Sequence, residues 1–409
     1  MNSNTVWNVR KKNNVFLPAA FMTAQAGYSI YFGFIVSYLT AQGMNSTGIG
    51  FILMLCALFN LFSQPLLGFI SDTYFPSKQI LLVMAIIAVP LSFVLPIAIA
   101  IPVIAVFSIV LMAMIEYSFA NLFDTWIVQL NEKIGGIHYP FAKGMASFGY
   151  ALASLIVGKI LAAVGTGWMF FIHALVMGLL ILFLLPLDKV TCKNQNQNTK
   201  KRNSLSLLQT AKVLAKNQDY VLFVAAYILV NVGMRFITSF YPTLIAVRGG
   251  NEGDLGVGFF LCSMSEVPFI FLFSKFSKRL RIEHIMLFAL SMFAVKNIGM
   301  YLSPNVLALQ LSQLFQGPSF GLYLPAVVLY MRKITPVQIS ATALMLLSAV
   351  TNAVGSVAGN FFGGIFIDQF GIYPSILICI VIQLVGTAVF FCSLVLRKMK
   401  RTEKTAITK

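Results

Sequence analysis

The feature that most constrains this chain is a series of twelve long apolar runs joined by short polar links. They cover residues 15–41, 48–70, 79–98, 101–129, 141–164, 168–187, 220–246, 256–277, 283–302, 305–331, 338–366 and 372–396. About 20 helical residues cross the hydrocarbon core of a bilayer. Because backbone amides find no water there, each run is predicted to be a membrane-spanning helix. Transmembrane strands would alternate polar and apolar residues, and these runs do not.

The composition agrees with a lipid environment. The chain has 409 residues, of which 58% are hydrophobic and 10% are charged, whereas about a quarter of a soluble domain is charged. We therefore predict an all-α polytopic membrane protein with twelve transmembrane helices in two six-helix bundles. The first run follows Arg10, Lys11 and Lys12, but it is too long for a signal peptide and lacks a cleavage site, so we expect a retained anchor.

The formal net charge of +17 is distributed unevenly. Most of the 29 Lys and Arg fall at the two ends, in the central link and in the links on the same side as these. This bias predicts that both termini are cytoplasmic, in the cell membrane or bacterial inner membrane. The basic residues are then expected to contact anionic membrane lipids, and no nucleic acid partner is expected.

The runs form two sets of six. Residues 1–187 and 220–409 each hold six, and a polar link at 188–219 joins them, in which 205–216 is predicted to form a short interfacial helix. Two related bundles with a long cytoplasmic link are typical of a transporter. We expect the protein to function as a monomer.

The link after span 2 reads GFISDTYFPSK, residues 68–78. Its pattern of Gly68, Asp72 and Lys78 resembles the signature loop of the major facilitator superfamily. The resemblance implies a gating motif whose contacts form in one state of the transporter and break in the other. The alternative is that Asp72 and Lys78 only cap helices and set the topology.

Three further segments resemble the oligosaccharide–proton symporter family, to which lactose permease belongs. They are TGIG…SQPLLGFISD within 47–72, FAKGMASFGYALASLIVG at 141–158 and GNFFGGIFIDQFG at 359–371. The resemblance implies transport of a sugar or oligosaccharide by proton symport with alternating access.

Charged residues within the predicted spans are the main candidates for a site, because a charge in a membrane normally faces a partner or a watery cavity. They are Glu116, Asp124, Lys143, Arg235, Glu266 and Lys296. A cavity with both signs suits an uncharged polar small molecule. In the family, span 4 carries a carboxylate and span 5 an arginine that hold sugar hydroxyls. Asp124 and Lys143 fall at those positions when a shift of one residue between them is allowed. Tyr150 stands where the family has a tryptophan that stacks on the sugar ring.

Two departures from the family pattern affect this assignment. Lys143 replaces a planar, bidentate arginine, and Tyr150 offers a smaller face than tryptophan. The substrate is therefore not necessarily a galactoside. The alternative interpretation is that Asp124 and Lys143 form a structural ion pair and Tyr150 packs within the bundle.

The second half offers Glu266 and Lys296 at positions where the family has a glutamate tied to substrate binding and coupling and an arginine. The resemblance therefore implies that both residues bind substrate. Arg235 stands near a family aspartate, and we include it among the substrate-binding candidates. The family's histidine and glutamate in span 10 are not found in residues 311–321. Proton coupling is then expected through Glu266 or Glu116, with Asp124 as a further carboxylate, while uniport and export stay open. His173 is expected to be a hydrogen-bonded packing residue.

Other function classes are disfavoured. No metalloprotease, hydrolase or P-loop motif is present, so neither an enzyme nor a cofactor or metal is expected. A channel would need a ring or selectivity-filter motif, and the sequence has none. Among carriers, the alternatives are uptake of an organic or aromatic acid or a nucleoside, and drug efflux.

Overall fold

Helices account for nearly all of the residues that the computed structural model describes, 3–187 and 207–407. They are α1 (Ser3–Ala41), α2 (Ser46–Thr73), α3 (Ser77–Ala98), α4 (Pro102–Ile134), α5 (Tyr139–Val164), α6 (Met169–Leu184), α7 (Leu207–Ala215), α8 (Gln218–Val247), α9 (Glu252–Arg279), α10 (Ile282–Leu302), α11 (Val306–Ser312), α12 (Leu322–Ile334), α13 (Ser340–Ser356), α14 (Gly363–Phe370) and α15 (Ile372–Ile407). Short 3₁₀ turns lie at Thr166–Trp168, Gln313–Phe315 and Val337–Ile339, and π-helical segments lie at Gly317–Gly321 and Val357–Phe362. The predicted all-α class is confirmed for this part of the chain.

Twelve helical stretches within the described ranges are long and apolar enough to cross a membrane. Each coincides with a predicted run, and the ends differ by a few residues. Spans 10 and 11, Val306–Ile334 and Thr342–Phe370, each contain a π-helical segment. Many large apolar side chains, such as Phe62, Ile97 and Phe271, are exposed, as expected for a surface that faces lipid.

Contacts between residues divide the described part into two compact units. Unit 1 lies within Met1–Met44, Ile52–Lys201 and Ile245–Ser263, and unit 2 lies within Asn45–Phe51, Arg202–Leu244 and Met264–Lys409. The predicted domain boundaries at 187 and 220 stay a prediction. The short helix expected at 205–216 corresponds to α7, and its place at a membrane surface is likewise still a prediction.

In unit 1, α1 packs against α5, α6 and α4, and α3 packs against α6 and α4. The α1–α5 contact is close because of Gly149. A Cβ atom at that position would lie 2.3 Å from the carbonyl oxygen of Met22, so only glycine permits this approach. The contact brings the residues that flank Gly149 on α5 next to α1.

In unit 2, α10 packs against α15 and α12. Three aromatic rings pack against one another in the core of this unit. They belong to Phe223, Tyr330 and Phe390, and their centroids lie 4.9 to 5.6 Å apart. These rings are buried and pack edge to face, an arrangement that favours a rigid core. The polar residues of unit 2 that are described below lie on helices of this same unit.

Candidate functional site

Asp124 on α4 and Lys143 on α5 form an ion pair in unit 1. The Lys143 Nζ atom lies 2.7 Å from Asp124 Oδ2, and the Tyr139 hydroxyl donates to Asp124 Oδ1 at 3.2 Å. The same Nζ atom lies 5.2 Å from the ring centroid of Phe21, within reach of a cation–π contact. The Lys143 and Asp124 side chains remain 45% and 30% exposed. The pair therefore keeps donors and acceptors that a solute can reach.

The spacing along both helices places one tyrosine on each helix in line with this ion pair. These four residues, Tyr117, Asp124, Lys143 and Tyr150, are here called the stripe. Tyr117 lies seven residues before Asp124, and Tyr150 lies seven residues after Lys143. Seven residues make about two helical turns, so each tyrosine lies on the same side of its helix as the charged residue. The tyrosines are therefore about 10 Å along the helix axis from the ion pair.

Four half-buried rings meet at the aromatic end of this stripe: Tyr28, Phe32, Tyr117 and Tyr150, here called the aromatic group. The Tyr28 ring centroid lies 5.5 Å from that of Tyr117 and 6.0 Å from that of Tyr150, and Phe32 lies 4.9 Å from Tyr117. Only Tyr150 was predicted from the sequence. The spacing of seven between Tyr117 and Asp124 is the signal that identifies a second member.

Glu116 does not join this stripe. It precedes Tyr117 and points to another side of α4, where its Oε1 lies 2.9 Å from Nε2 of His173 on α6. Neither side chain is exposed. The other ring nitrogen, Nδ1, lies 2.8 Å from the hydroxyl of Ser92 on α3. His173 is thus hydrogen-bonded, as expected, and its partner is one of the predicted proton-coupling residues.

In unit 2, Gln316 connects Glu266 with Lys296. The Lys296 ammonium donates to Gln316 Oε1 at 2.7 Å, and Gln316 Nε2 donates to Glu266 Oε1 at 3.0 Å. Gln316 precedes the π-helical segment Gly317–Gly321. A Cβ atom at the first residue of that segment would lie 2.2 Å from the carbonyl oxygen of Ser265, so glycine lets span 10 approach α9 beside Glu266.

The amide of Gln316 fits its two partners because its oxygen faces a cation and its nitrogen faces a carboxylate. Sequence comparison with the symporter family marked span 10 as the place where acidic and histidine residues are missing. The structure shows a neutral residue in contact with both predicted charged residues there. Its side-chain role has no signal in the sequence beyond its polarity.

Arg235, on α8, has a different hydrogen-bond partner from those of Glu266, Gln316 and Lys296. Its Nη2 donates to Asn352 Oδ1 at 2.7 Å, and its Nε is buried without a hydrogen-bond partner among the described residues. The nearby Asn231 Oδ1 is also buried without a partner in this part of the chain. Glycine at 355 allows α13 to approach, since a Cβ there would lie 2.1 Å from that same oxygen.

The three predicted gating residues differ in their surroundings. Lys78 is buried, and its ammonium donates to the carbonyl oxygens of Leu185 and Leu187 beyond the end of α6. A cation placed on terminal carbonyls stabilises a helix end. At Gly68, no described atom lies within 4 Å of where a Cβ would stand, and the Asp72 side chain lies outside the described residues. The gating role stays a prediction.

No group of three or more His, Cys, Asp or Glu side chains that could hold a metal ion occurs within the described ranges.

A family model described as the MFS_1 like family matches residues 19–406. The chain is 23% identical over 397 residues to a maltose permease of Geobacillus stearothermophilus, which covers 97% of both chains. It is 22% identical over 370 residues to the uncharacterized transporter YwbF of Bacillus subtilis (strain 168), covering 90% of this chain and 89% of that protein. A crystal structure of the nucleoside transporter NupG matches with a TM-score of 0.80 at 17% identity, over 93% of this chain and 98% of that one. At this identity the structural likeness establishes the fold.

Proposed function

Since the chain belongs to the MFS_1 like family and is a multi-pass membrane transporter of the major facilitator type, we propose that it carries a sugar or oligosaccharide by proton symport with alternating access. The observation that carries the proposal is the half-exposed Asp124–Lys143 pair on a stripe that leads to the aromatic group. The protein is a non-enzymatic carrier, and its substrate is a small molecule.

The chemistry of the stripe suits a hydroxylated neutral solute. The Asp124 carboxylate accepts hydrogen bonds from hydroxyl groups, and the Lys143 ammonium donates to them, with no net charge added. Aromatic faces such as that of Tyr150 pack against the apolar C–H face of a sugar ring. The similarity to a maltose permease along 97% of the chain supports this substrate class.

The proposed coupling residue is Glu266, which hydrogen-bonds Gln316 and through it is linked to Lys296. A carboxyl group that is sealed and then wetted binds and releases a proton. Glu266→Gln mimics the protonated form, so we expect loss of proton-driven accumulation with residual exchange of substrate. Wild-type protein that moves substrate without alkalinising an unbuffered medium would end the symport proposal.

A nucleoside is the second candidate, favoured by the likeness to NupG. Its ribose offers hydroxyl groups to Asp124 and Lys143, and its planar base stacks on aromatic rings. An organic or aromatic acid is a further alternative, which Arg235 and Lys296 would bind. Arg235 Nε is buried without a hydrogen-bond partner in the described part of the chain.

The remaining features of the proposal concern topology and gating. We propose that the protein lies in the cell membrane with both termini cytoplasmic, on the basis of its basic residues, and that it functions as a monomer. Gly68, Asp72 and Lys78 then belong to a cytoplasmic gate. Asp72→Asn is expected to slow transport while ligand binding remains. Normal transport rates in this variant would indicate that the loop only caps helices and sets the topology.

The decisive experiment uses purified protein in vesicles. Counterflow is measured with labelled maltose, uridine and lactate, beside thermal stabilisation by each compound, because a ligand that binds the folded state raises its stability. Maltose is expected to give both signals. Uridine alone would favour the nucleoside carrier, and stimulation by none of the three would refute the assigned substrate classes.

A further inference from the structure

The hydrogen bonds around Glu116 and His173 determine how many protons this pair of side chains holds. The Ser92 hydroxyl donates its single proton to the carbonyl oxygen of Ala88 at 2.7 Å. Toward His173 it therefore acts as an acceptor, at 2.8 Å, and Nδ1 must carry a proton. This hydrogen bond fixes which ring nitrogen is always protonated.

The second ring nitrogen faces a carboxylate oxygen. Nε2 lies 2.9 Å from Glu116 Oε1, and a hydrogen bond at this distance requires one proton between the two atoms. The proton belongs either to the carboxyl group or to the imidazolium, and in both cases the pair is neutral. Without it, two lone pairs would face each other and a negative charge would be buried without compensation.

From this geometry we infer that Glu116 and His173 form a proton-binding site whose occupancy holds α4 to α6 within unit 1. When the proton is lost, the two side chains must separate or admit water, since the buried anion is otherwise unpaired. Proton binding is thereby linked to helix packing, as symport requires. The role in coupling rests on the proposed symport, but the presence of the site does not.

Two observations indicate that this pair is more than a structural tie. Glu116 Oε2 and the Tyr31 hydroxyl are both buried without a hydrogen-bond partner in the described part of the chain. Tyr31, on α1, lies with its ring 5.2 Å from that of His173. Buried polar atoms left without partners are uncommon and call for a functional or solvent partner.

The neighbouring groups set the electrostatic surroundings of the site. On α1 this is the hydroxyl of Tyr31, and on α3 it is the hydroxyl of Ser92. Tyr31 in turn interacts with Tyr38 of α1 and with the thiol of Cys56 on α2. None of these four groups carries a charge near neutral pH. Glu116 also precedes Tyr117 of the aromatic group on α4, so a substrate that contacts Tyr117 would lie one residue away from the pair.

The first test measures the unfolding equilibrium of the purified full chain against pH. In an unfolded chain, glutamate is ionised above about pH 4.3 and histidine is neutral above about pH 6.5. The folded pair keeps one proton that the unfolded chain then lacks. This site should therefore contribute a rise of about tenfold per pH unit above pH 6.5 to the equilibrium constant for unfolding, which is read as the difference between wild type and a variant without the shared proton.

Glu116→Gln provides the matched comparison. The glutamine amide donates to Nε2 without any titratable proton, so the variant should lose this slope above pH 6.5. His138→Gln with His284→Gln serves as a control, because both side chains are exposed and should leave the slope unchanged. Equal slopes in wild type and Glu116→Gln would overturn the site.

A second measurement does not depend on the folding of that variant. In protein that carries only His173, with the exposed histidines replaced by glutamine, ¹⁵N resonances should show a protonated Nδ1 and a hydrogen-bonded Nε2 from pH 6 to pH 9. A resonance that titrates near pH 6.5 would refute the site. Failure of wild-type alkalinisation with these results intact would instead refute the proposed symport.

Discussion

Helix α4 carries two acid–base pairs that differ in exposure. Glu116 is fully buried against His173, whereas Asp124, about two turns along the helix, is 30% exposed and bonds a lysine that is 45% exposed. The buried pair has no exposed side-chain surface for a solute, and the Ser92 hydroxyl determines which ring nitrogen of His173 is protonated. The half-exposed pair keeps free capacity for hydrogen bonds. The two pairs of unit 1 thus differ in exposure, and we expect this difference to separate proton binding from substrate binding.

The same comparison extends to unit 2. There an amide, Gln316, stands between the carboxylate of Glu266 and the ammonium of Lys296. The Gln316 amide bonds both charged groups and is itself neutral, so its removal leaves no unpaired charge of its own. This arrangement is intermediate between the buried pair, Glu116 with His173, and the half-exposed pair, Asp124 with Lys143, which is called the open pair below.

The largest expected effect concerns the buried pair. His173→Leu removes the partner of a buried carboxylate, which should lower the free energy of unfolding by about 3–5 kcal/mol. The double variant Glu116→Leu with His173→Leu should recover most of that loss, because no ionisable group is left behind. Denaturant unfolding in detergent measures both. A loss below about 1 kcal/mol, the range of exposed pairs, would remove the difference between the two pairs.

The next effect concerns substrate affinity at the open pair. Asp124→Asn and Lys143→Met should each change stability by less than about 1 kcal/mol. Each should weaken binding by about 10–100-fold, because a hydrogen bond to a charged group contributes about 1.5–3 kcal/mol. The double variant should not regain affinity, and regained affinity would identify a purely structural pair.

A matched control exists for this experiment. Lys333 pairs with Glu283 in unit 2, and its side chain is 38% exposed, close to that of Lys143. Lys333→Met should leave ligand affinity unchanged when both are measured by equilibrium binding. An equal loss of affinity in this control would show that the effect comes from general destabilisation.

The sequence predicted the helices well because their signal is local. Length and apolarity alone determine which runs, such as 79–98, can cross a bilayer, and α3 at Ser77–Ala98 matches that run closely. The Asp124–Lys143 pairing was also accessible, since only a short link separates the two helices. Glu116 and His173 lie on helices that are not consecutive, so nothing in their spacing indicates the contact.

Gln316 shows a second limit of sequence reasoning. Family resemblance directs attention to charged residues and therefore reports a missing histidine and glutamate in span 10. The contact of a neutral amide with Glu266 depends on the π-helical segment and on glycine at 317, which permits close approach. Gly317 and Pro318 are a local sign that the helix is interrupted. They do not indicate which side chain the interruption brings against Glu266, because that depends on tertiary packing.

A smaller effect is expected at Gln316 itself. Gln316→Leu removes one neutral bridge, which should cost about 1–3 kcal/mol in stability, because Glu266 and Lys296 each lose a hydrogen-bond partner. The ratio of proton-driven accumulation to counterflow should fall. Gln313→Leu is the control, since its buried Oε1 has no hydrogen-bond partner within the described ranges. If both variants behave alike in vesicle transport, the bridge has no part in coupling.

The smallest effect separates the substrates that the open pair and the aromatic group would bind together. Tyr150→Leu removes one ring face, which should weaken sugar binding by about 2–10-fold, given about 0.5–1.5 kcal/mol for such a contact. A nucleoside base stacks more strongly, at about 1–3 kcal/mol, so its affinity should fall further. Tyr150→Phe keeps the ring and should bind nearly as well as wild type. Equilibrium binding of maltose and uridine to the three proteins measures the ratio. Unchanged affinity of Tyr150→Leu for both ligands would confine the substrate to the charged end of the stripe and exclude stacking on Tyr150.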